Sequence, residues 1–504
     1  TLNYTKVLPG SHNMSALVGY SQEQYKIRSL YGQRRDYSFP NLSELNAGDP
    51  SVQTLNGTSS EWSIQSFFGR LGYNYNGKYL FEANARYDGT SRIQKNNRWG
   101  LFPSFSLGWR ISEENFLKSS DWLDNLKVRA SWGQLGNQNI GTYPYQSLLT
   151  TTNYAQGTGV QQGVLRSALS DPNLKWEITT IQNLGIDLDI KQGLFSLVFD
   201  IYDKNTSGIL NTAEIPASVG LSAPTINYGS LNNKGFEFTI GHRGKIRKLG
   251  YSVDVNFSHN RNKITKLITP SYGLNSNQVG YEYGAYYMLE WIGIYQSGEE
   301  ISSGPTPQYN SQPGDLKFKD QSKDGKITAD DRVILPGRYP KFIYGGNIRL
   351  NWRSLDLSVF IQGVSGTRHY ITRRGEWPFL RMAPPTEEWR QAWTPENHTN
   401  KMPALYAWPY NPVSGTDNSY FLKNTSYVRL KNMQLGYTLP PKITGKIGIE
   451  NLRMYISADN WLTYAPYTIN DPERDEDVQY SGQTEAGSYP NVKTFTFGVI
   501  LNLK

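Results

Sequence analysis

The stretch 67–111, FFGRLGYNYNGKYLFEANARYDGTSRIQKNNRWGLFPSFSLGWRI, decides the fold class of this chain. In each of its arms, apolar or aromatic residues alternate with polar residues. One face of the second arm carries Tyr79, Phe81 and Ala83, and the opposite face carries Glu82 and Asn84. A period of two predicts β-strands whose two faces meet different surroundings.

The turn between the two arms predicts how they pair. We assign residues 75–77 as a three-residue hairpin loop, with its glycine in the left-handed conformation. An odd number of loop residues brings the two apolar faces to the same side of the hairpin. This loop predicts that Tyr73 pairs with Tyr79 and that Leu71 pairs with Phe81.

The composition of the two faces indicates which solvents they meet. The apolar face ends in tyrosine and tryptophan, whereas the polar face carries Arg, Asn, Glu and Asp. An apolar band with aromatic ends is typical of the lipid-facing side of an outer-membrane β-barrel. A soluble sandwich remains the alternative for one hairpin, but recurrence of the pattern along the chain favours the barrel. One such recurrence is predicted to face lipid through Phe195, Leu197, Phe199 and Ile201.

The composition excludes several other classes of protein. The chain has 504 residues, 35 of them tyrosine, and a hydrophobic fraction of 38%. No run approaches the roughly 18 apolar residues of a membrane helix, which excludes a helical membrane protein. Cysteine is absent, which excludes disulfides and thiolate sites. The net charge of +8 is scattered without a basic run, so no nucleic-acid partner is expected.

The connections between predicted strands alternate in length, which is typical of periplasmic turns and extracellular loops. Assigning Tyr286 to Tyr295 to an extracellular excursion leaves about 15 strands, the first near Leu2. Because such barrels have an even number of strands, we expect 1–504 to be the C-terminal part of a larger barrel. The short connections are expected at 9–11, 75–77, 112–124, 190–193, 242–250, 353–354 and 440–448. The long ones are expected at 21–62, 89–101, 136–177, 204–233, 261–340, 364–423 and 462–492.

Several motifs, in order along nearly the whole chain, resemble the SusC/RagA-like TonB-dependent outer-membrane transporters. The resemblance implies an all-β, 22-stranded transmembrane antiparallel barrel, of which seven strands and an N-terminal plug would precede this chain. The C-terminus departs from the barrel pattern because it ends on Lys504 rather than on an aromatic residue. The matching motifs are GRLGYNYNGKYLFEANARYDGTSR (69–92), RWGLFPSFSLGWRISEENF (98–116), LKVRASWGQLGNQNIGTYPY (126–145), DPNLKWEITTIQNLGIDLDI (171–190), PGDLKFKDQSKDGKITADDR (313–332), SYVRLKNMQLGYTLP (426–440), LRMYISADNWLTYAPY (452–467) and DPE (471–473).

The same resemblance implies active import across the outer membrane of a Gram-negative bacterium. Transport would be driven by TonB–ExbB–ExbD acting on the plug. A SusD-like surface lipoprotein would serve as the lid, and two transporter–lipoprotein pairs would form a dimer. The substrates it implies are glycan oligosaccharides, with oligopeptides as the alternative. A passive porin or structural barrel is the alternative of another class.

An enzyme is not expected. The five histidines are dispersed along the chain, and no nucleophile-elbow, zinc-protease or phosphate-binding motif occurs. The carboxylates at inward strand positions are explained by a polar lumen.

The two longest predicted loops are rich in aromatic residues. Aromatic faces stack on sugar rings and dominate protein interfaces, but they also serve as ordinary loop packing. We therefore predict that some of them contact the substrate or the lid. The candidates are Trp291, Tyr295, Trp377, Trp389, Trp393 and Trp408.

A calcium loop is predicted within the first of these two excursions. Oxygen ligands at alternate positions and a glycine at position six match a twelve-residue calcium loop. Position twelve is Asp rather than the usual Glu, and an ion-free Asp/Ser/Gly turn is the alternative. Ile327 at position eight is expected to anchor the loop by packing. The predicted ligands are Asp320, Ser322, Asp324, the carbonyl of Lys326 and Asp331.

Overall fold

The computed structural model describes residues 1–39, 41–371, 377–379, 384–406, 417–445, 448–468, 471–473 and 491–503. Its described helices include α1 (Gly298–Ser303) and α2 (Pro441–Thr444). The strands, in chain order, are β1 (Leu2–Leu8), β2 (His12–Arg34), β3 (Gln53–Tyr75), β4 (Tyr79–Thr90), β5 (Trp99–Arg110), β6 (Leu123–Asn137), β7 (Leu149–Gln156), β8 (Gly159–Arg166), β9 (Glu177–Ile190), β10 (Phe195–Ser207), β11 (Leu210–Thr212), β12 (Thr225–Asn227), β13 (Ser230–Ile246) and β14 (Leu249–Lys266). They continue with β15 (Ser271–Tyr272), β16 (Asn275–Asn277), β17 (Ala285–Leu289), β18 (Trp291–Ile294), β19 (Leu316–Phe318), β20 (Arg332–Leu335), β21 (Phe342–Trp352), β22 (Leu355–Ser365), β23 (Arg368–Tyr370), β24 (Leu422–Asn424), β25 (Tyr427–Thr438), β26 (Ile449–Tyr464) and β27 (Thr494–Leu503).

Fifteen of these strands form one antiparallel sheet, with the order β1-β2-β3-β4-β5-β6-β9-β10-β13-β14-β21-β22-β25-β26-β27. The predicted count of strands is confirmed, and so is a first strand at Leu2. The strands β17 and β18 lie outside this sheet, which confirms that Tyr286 to Tyr295 belongs to an excursion. No helix among the residues described is long and apolar enough to cross a membrane.

The chain divides into two compact units, and the first comprises Thr1–Arg110, Arg129–Asn183 and Lys204–Leu231. Its register places apolar residues in rows across the strands. One row runs Tyr4, Ala16, Leu71, Ala83 and Phe105, each paired with the next. The row beside it on the opposite face is polar. It pairs Arg70 with Asn84 and Asn84 with Ser104.

The register predicted for the β3–β4 hairpin is wrong by two residues. Tyr75 pairs with Tyr79 and Tyr73 pairs with Phe81, so the loop is 76–78. The loop still has an odd length, which keeps both apolar faces on one side as predicted. Asn76 takes a positive φ of 52° and Gly77 one of 68°, so two left-handed residues carry the turn.

Two predicted connections are also shorter than expected. The strands β2 and β3 continue in register through most of 21–62, as far as the pair Arg34 and Gln53, so that loop spans only 35–52. Similarly, β13 and β14 continue into 242–250. The segments 21–34 and 53–62 consist largely of small polar and charged residues, and 242–250 is rich in basic residues, so their strand period was not recognised.

The second unit comprises Ile111–Val128, Leu184–Asp203 and Asn232–Lys504. Its strands repeat the two-faced arrangement. One apolar row pairs Tyr251, Leu350, Leu357, Leu435, Ile456 and Phe497, each with the next. The predicted tight turn at 353–354 is confirmed because Trp352 pairs with Leu355.

The ring contacts of β10 support its predicted alternation. The ring of Phe199 lies 6.3 Å from that of Phe236, which lies 6.0 Å from the ring of Phe257 on the apolar face of β14. On the other face, the Tyr202 hydroxyl donates to Asn260 Oδ1 at 3.2 Å. The alternation predicted for β10 therefore agrees with these contacts, and its contact with lipid remains a prediction.

Candidate functional site

The polar face of the sheet carries paired charges. In the first unit, Arg70 Nε lies 3.2 Å from Glu82 Oε2 and Arg86 Nε lies 2.8 Å from Asp88 Oδ2. Partly exposed pairs of this kind contribute little stability. They instead fix the orientation of cationic and anionic groups along one face. A cavity of about 780 Å³ borders all four of these side chains.

The same feature occurs on the polar face of the second unit. Arg453 Nε donates to Asp356 Oδ1 at 3.0 Å, and Arg453 Nη2 donates to Gln434 Oε1 at 3.0 Å. A row of fixed hydrogen-bonding groups opposite an apolar face is the arrangement expected of a polar barrel interior.

The described residues of segments 271–335 and 368–424 form a packed body, which we call the loop assembly. It contains β15 to β20, α1, β23 and β24. Its core brings together aromatic and aliphatic side chains from both segments. These are Tyr286, Met288, Ile294, Leu316, Tyr370, Trp393, Tyr420, Phe421 and Leu422.

The aromatic residues predicted to contact substrate or lid lie in or near this core. Tyr295 is 2% exposed, Trp389 is 4% exposed and Trp393 is also buried, whereas Trp291 and Trp377 are half-buried.

The indole N–H groups of Trp393 and Trp377 already have partners within the chain. The indole N–H of Trp393 donates to Gln296 Oε1 at 3.0 Å, and that of Trp377 donates to the Ile371 carbonyl at 3.0 Å. Packing therefore accounts for the buried rings, and a substrate role for the set stays a prediction. Trp408 lies outside the described residues.

Sequence reasoning missed the aromatic residues on 24–34 of β2 and 53–63 of β3, which we call the upper parts of these strands. The rings of Tyr25 and Trp62 stack with centroids 5.7 Å apart, and Tyr31 lies further along the same face. Because 21–62 was predicted to be a loop, these residues were not considered. The signal was present as tyrosines at odd positions of β2, Tyr25 and Tyr31, separated on the same face by Ile27 and Ser29.

The loop 320–331, which is predicted to bind calcium, lies within the loop assembly, and the side chain of Ile327 is packed there as expected. Ile327 is buried, and its backbone N–H donates to the Thr306 carbonyl at 2.9 Å. Gly325 has a φ of +80°, a conformation that favours glycine. Asp320 Oδ2 accepts the N–H of Gly325 at 3.0 Å, which closes the turn between positions one and six.

The carboxylate of Asp331, at position twelve, is buried and accepts three backbone N–H groups. Its oxygens accept from Gln321 at 2.9 Å, Ser322 at 3.0 Å and Thr328 at 2.7 Å. Burial alone would raise the pKa of this carboxyl, but these donors and the Ser322 hydroxyl hold it below its usual value.

Within the described ranges, no group of three or more His, Asp or Glu side chains is placed to hold a metal ion. Ser322 Oγ is directed at Asp320 Oδ1, 3.3 Å away, and Asp324 Oδ1 accepts the N–H of Lys326 at 2.9 Å. The backbone therefore supplies the present partners of these acids. A calcium site stays a prediction.

A buried ion-pair network ties β25 to the segment that follows β26. Arg429 Nη2 lies 2.6 Å from Asp471 Oδ1, and Arg429 Nη1 contacts Glu473. Lys431 Nζ lies 2.8 Å from Glu473, and the N–H of Asn491 donates to Asp471 Oδ2 at 2.8 Å. These contacts hold the two described ends of the last long connection together. Both acids of the DPE motif, 471–473, take part in these contacts.

A sheet of fifteen antiparallel strands with one exposed apolar face and one polar face defines an outer-membrane-type β-barrel. The chain belongs to the TonB dependent receptor-like β-barrel family, whose model matches residues 2–460. This family consists of outer-membrane receptors and transporters.

Relatives support the same assignment. The chain is 33% identical to TonB-dependent receptor P3 of Formosa agariphila, with 100% of this chain and 51% of the relative covered. It is 29% identical to TonB-dependent receptor SusC of Bacteroides thetaiotaomicron, with 99% and 49% covered. Among solved structures, the RagAB peptide importer in its open-open state superposes with a TM-score of 0.81 at 25% identity, covering 99% of this chain and 54% of that one. The chain spans about half the length of the relatives it matches.

Proposed function

We propose that this chain forms barrel wall and extracellular loops of an active outer-membrane importer of oligosaccharides. Its apolar face would contact outer-membrane lipid, and its polar face would line the lumen. The observation that supports this most directly is the two-faced register within each unit, whose polar face would give substrate a charge-lined path. The energy would come from TonB–ExbB–ExbD through the plug that the resemblance implies.

The loop assembly would meet a SusD-like surface lipoprotein serving as a lid. A packed core on long loops gives such a partner a rigid surface, because buried side chains keep the loops in one conformation. The dimer of transporter–lipoprotein pairs belongs to the same proposal.

Oligopeptide import is the second candidate. The RagAB structures are those of a peptide transporter, and this chain shares their fold over 99% of its length. Paired charges on the polar face suit zwitterionic peptides as well as polar sugars. The passive porin remains the alternative from another class.

The test is uptake by cells that express the receptor. Labelled oligosaccharides and labelled peptides should be offered separately, with TonB present and with TonB deleted. We expect oligosaccharide uptake that stops without TonB, and co-purification of a surface lipoprotein with the barrel. Uptake that persists without TonB would contradict active transport, and uptake of peptide alone would favour the second candidate.

We also propose that the loop 320–331 binds calcium. The spacing of oxygen ligands, the left-handed Gly325 and the backbone bridge at Ile327 support it. The ligands would be Asp320, Ser322, Asp324, the Lys326 carbonyl and Asp331, and the ion would brace the loop assembly.

Calorimetry on the chelator-treated receptor tests the calcium proposal. Heat of calcium binding should appear and should disappear in Asp320→Ala/Asp324→Ala. Equal binding by the double variant would place any bound ion elsewhere.

A further inference from the structure

The upper parts of β2 and β3 form a two-stranded ribbon that extends beyond the sheet. Their register is unbroken from the pair Gln24 and Ser63 to the pair Arg34 and Gln53. By contrast, the register of β3 with β4 begins only at Ile64. At about 3.3 Å per residue, the ribbon is about 35 Å long.

The two faces of this ribbon differ in charge. One face continues the apolar face of the sheet and carries Lys26, Glu61, Arg28 and Arg34, with Lys26 Nζ 3.0 Å from Glu61 Oε2. The other face continues the polar face of the sheet. From Tyr25 upward it carries no charged residue. It consists of Tyr25, Ile27, Ser29, Tyr31 and Gln33 on β2 and of Trp62, Ser60, Thr58, Asn56 and Thr54 on β3.

The aromatic residues of this neutral face present rings to solvent. Tyr31 is 53% exposed, and its hydroxyl donates to Gln33 Oε1 at 2.9 Å. Tyr25 is exposed to a similar degree and stacks on Trp62. Exposed rings of this kind are available for stacking by a ligand.

At the base of the neutral face, residues from outside the ribbon lie against Trp62 and Ser60. The guanidinium of Arg92 lies over the Trp62 ring, 4.9 Å from its centroid, and donates to the Ile140 carbonyl at 2.7 Å. Ser60 Oγ lies 3.3 Å from Thr142 Oγ1. Charge is therefore confined to the base, where Glu23 also lies, and the face above it is neutral.

We infer that this neutral face is a binding subsite for an uncharged oligosaccharide chain. Aromatic rings separated by hydroxyl and amide groups match the alternating C–H faces and hydroxyl edges of sugar rings. A peptide or an anionic glycan would find charged side chains only at the base of this face, at Arg92 and Glu23, and none further along the same face, from Ile27 to Gln33. The inference rests on the proposed function, because it places the substrate class of that importer on a particular ribbon.

Calorimetry on the detergent-solubilised receptor tests the subsite. The probes are maltoheptaose, cellohexaose, xylohexaose and mannohexaose, with a galacturonic-acid hexamer and a hexapeptide for comparison. We expect at least one neutral glycan to bind, with Kd raised at least roughly tenfold in Tyr25→Ala and in Tyr31→Ala.

Two matched variants distinguish stacking from general damage to the ribbon. Tyr31→Phe keeps the ring and should bind within about threefold of the parent protein. Leu30→Ala, at a position 79% exposed on the opposite face, should leave Kd unchanged. Equal losses in Leu30→Ala and Tyr31→Ala would overturn the subsite, as would binding of only the anionic or peptide probe or of no probe at all.

Uptake separates this inference from the proposed function. Import that stops without TonB but is unaffected by Tyr25→Ala and Tyr31→Ala would overturn the subsite alone. Import that continues without TonB would overturn the importer, whatever the ribbon binds.

Discussion

The strand sheet and the loop assembly use the same apolar residue types in opposite ways. On the sheet, Leu107 is 58% exposed and Leu71 is 61% exposed, although both belong to continuous apolar rows. In the loop assembly, Trp389 and Tyr295 are almost completely buried. A large exposed apolar surface requires another apolar phase to cover it, and lipid is the phase that fits a barrel. The loop assembly covers its own apolar residues, as a domain in water must.

This difference predicts that core truncation damages the loop assembly most. Phe421 packs against Trp377 and Tyr420, with ring centroids 5.0 Å away in each case. Phe421→Ala should cost about 3–5 kcal/mol of the stability of the loop assembly. Half-exposed Ile292 supplies the control, since Ile292→Ala should cost about 1 kcal/mol. Amide hydrogen exchange across 285–335 measures both, and equal protection in the two variants would contradict a single packed core.

The stability of the sheet should be more sensitive to an added charge on its apolar face than to the loss of side-chain volume. Leu107→Lys places a cation on the apolar face and should cost about 2–4 kcal/mol near the bilayer midplane. Ser106→Lys is the matched variant, because Ser106 pairs with Glu82 on the polar face and should tolerate the cation. Urea unfolding in lipid vesicles compares them. Equal destabilisation would contradict the assignment of the two faces.

Substitution of Asp331 is expected to have a smaller, pH-dependent effect on the stability of the loop assembly. The folded-state pKa of Asp331 is lowered, so the ionised carboxylate stabilises the loop assembly above the ordinary aspartate pKa of about 4. That contribution should be lost as the pH falls through the lower, folded-state value. Asp331→Asn should cost about 1.5–3 kcal/mol at pH 7 and progressively less in acid. Thermal unfolding at pH 7 and pH 3 measures the difference, and a cost that is independent of pH would contradict the hydrogen-bonded carboxylate.

The sequence predicted the sheet because a β-strand with one face in lipid and one face in water alternates apolar and polar residues, and that alternation is visible in the sequence. Residues such as Phe105 and Leu107 alternate with serine, and the count of fifteen strands followed. The hairpin register was wrong by two residues because Asn76 joins Gly77 in the left-handed conformation and Tyr75 pairs with Tyr79, so that the loop is 76–78. The odd number of residues in the turn was predicted correctly, but the position of the turn along the chain was not.

The candidate sites were predicted less well, for a physical reason. An aromatic residue on a loop can pack or bind, and only its neighbours decide between the two. Trp393 lies in the core because Gln296 and the aromatic cluster contact it, whereas Tyr31 lies on a two-stranded ribbon and is half-exposed. The turn at 320–331 was recognised because its spacing is local, and calcium binding there stays a prediction. The partners of Asp331 were not recognised, because they come from the backbone.

The central claim is that adjacent residues of β5 face lipid and lumen alternately, and one pair of labels tests it directly. The chain contains no cysteine, so Leu107→Cys and Ser106→Cys can each carry a single fluorophore. In the receptor reconstituted into vesicles, lipids bearing a spin-label quencher should quench the probe at 107 strongly and the probe at 106 weakly. Aqueous iodide should show the reverse preference. Equal quenching at both positions, or lipid quenching at 106 alone, would contradict the account.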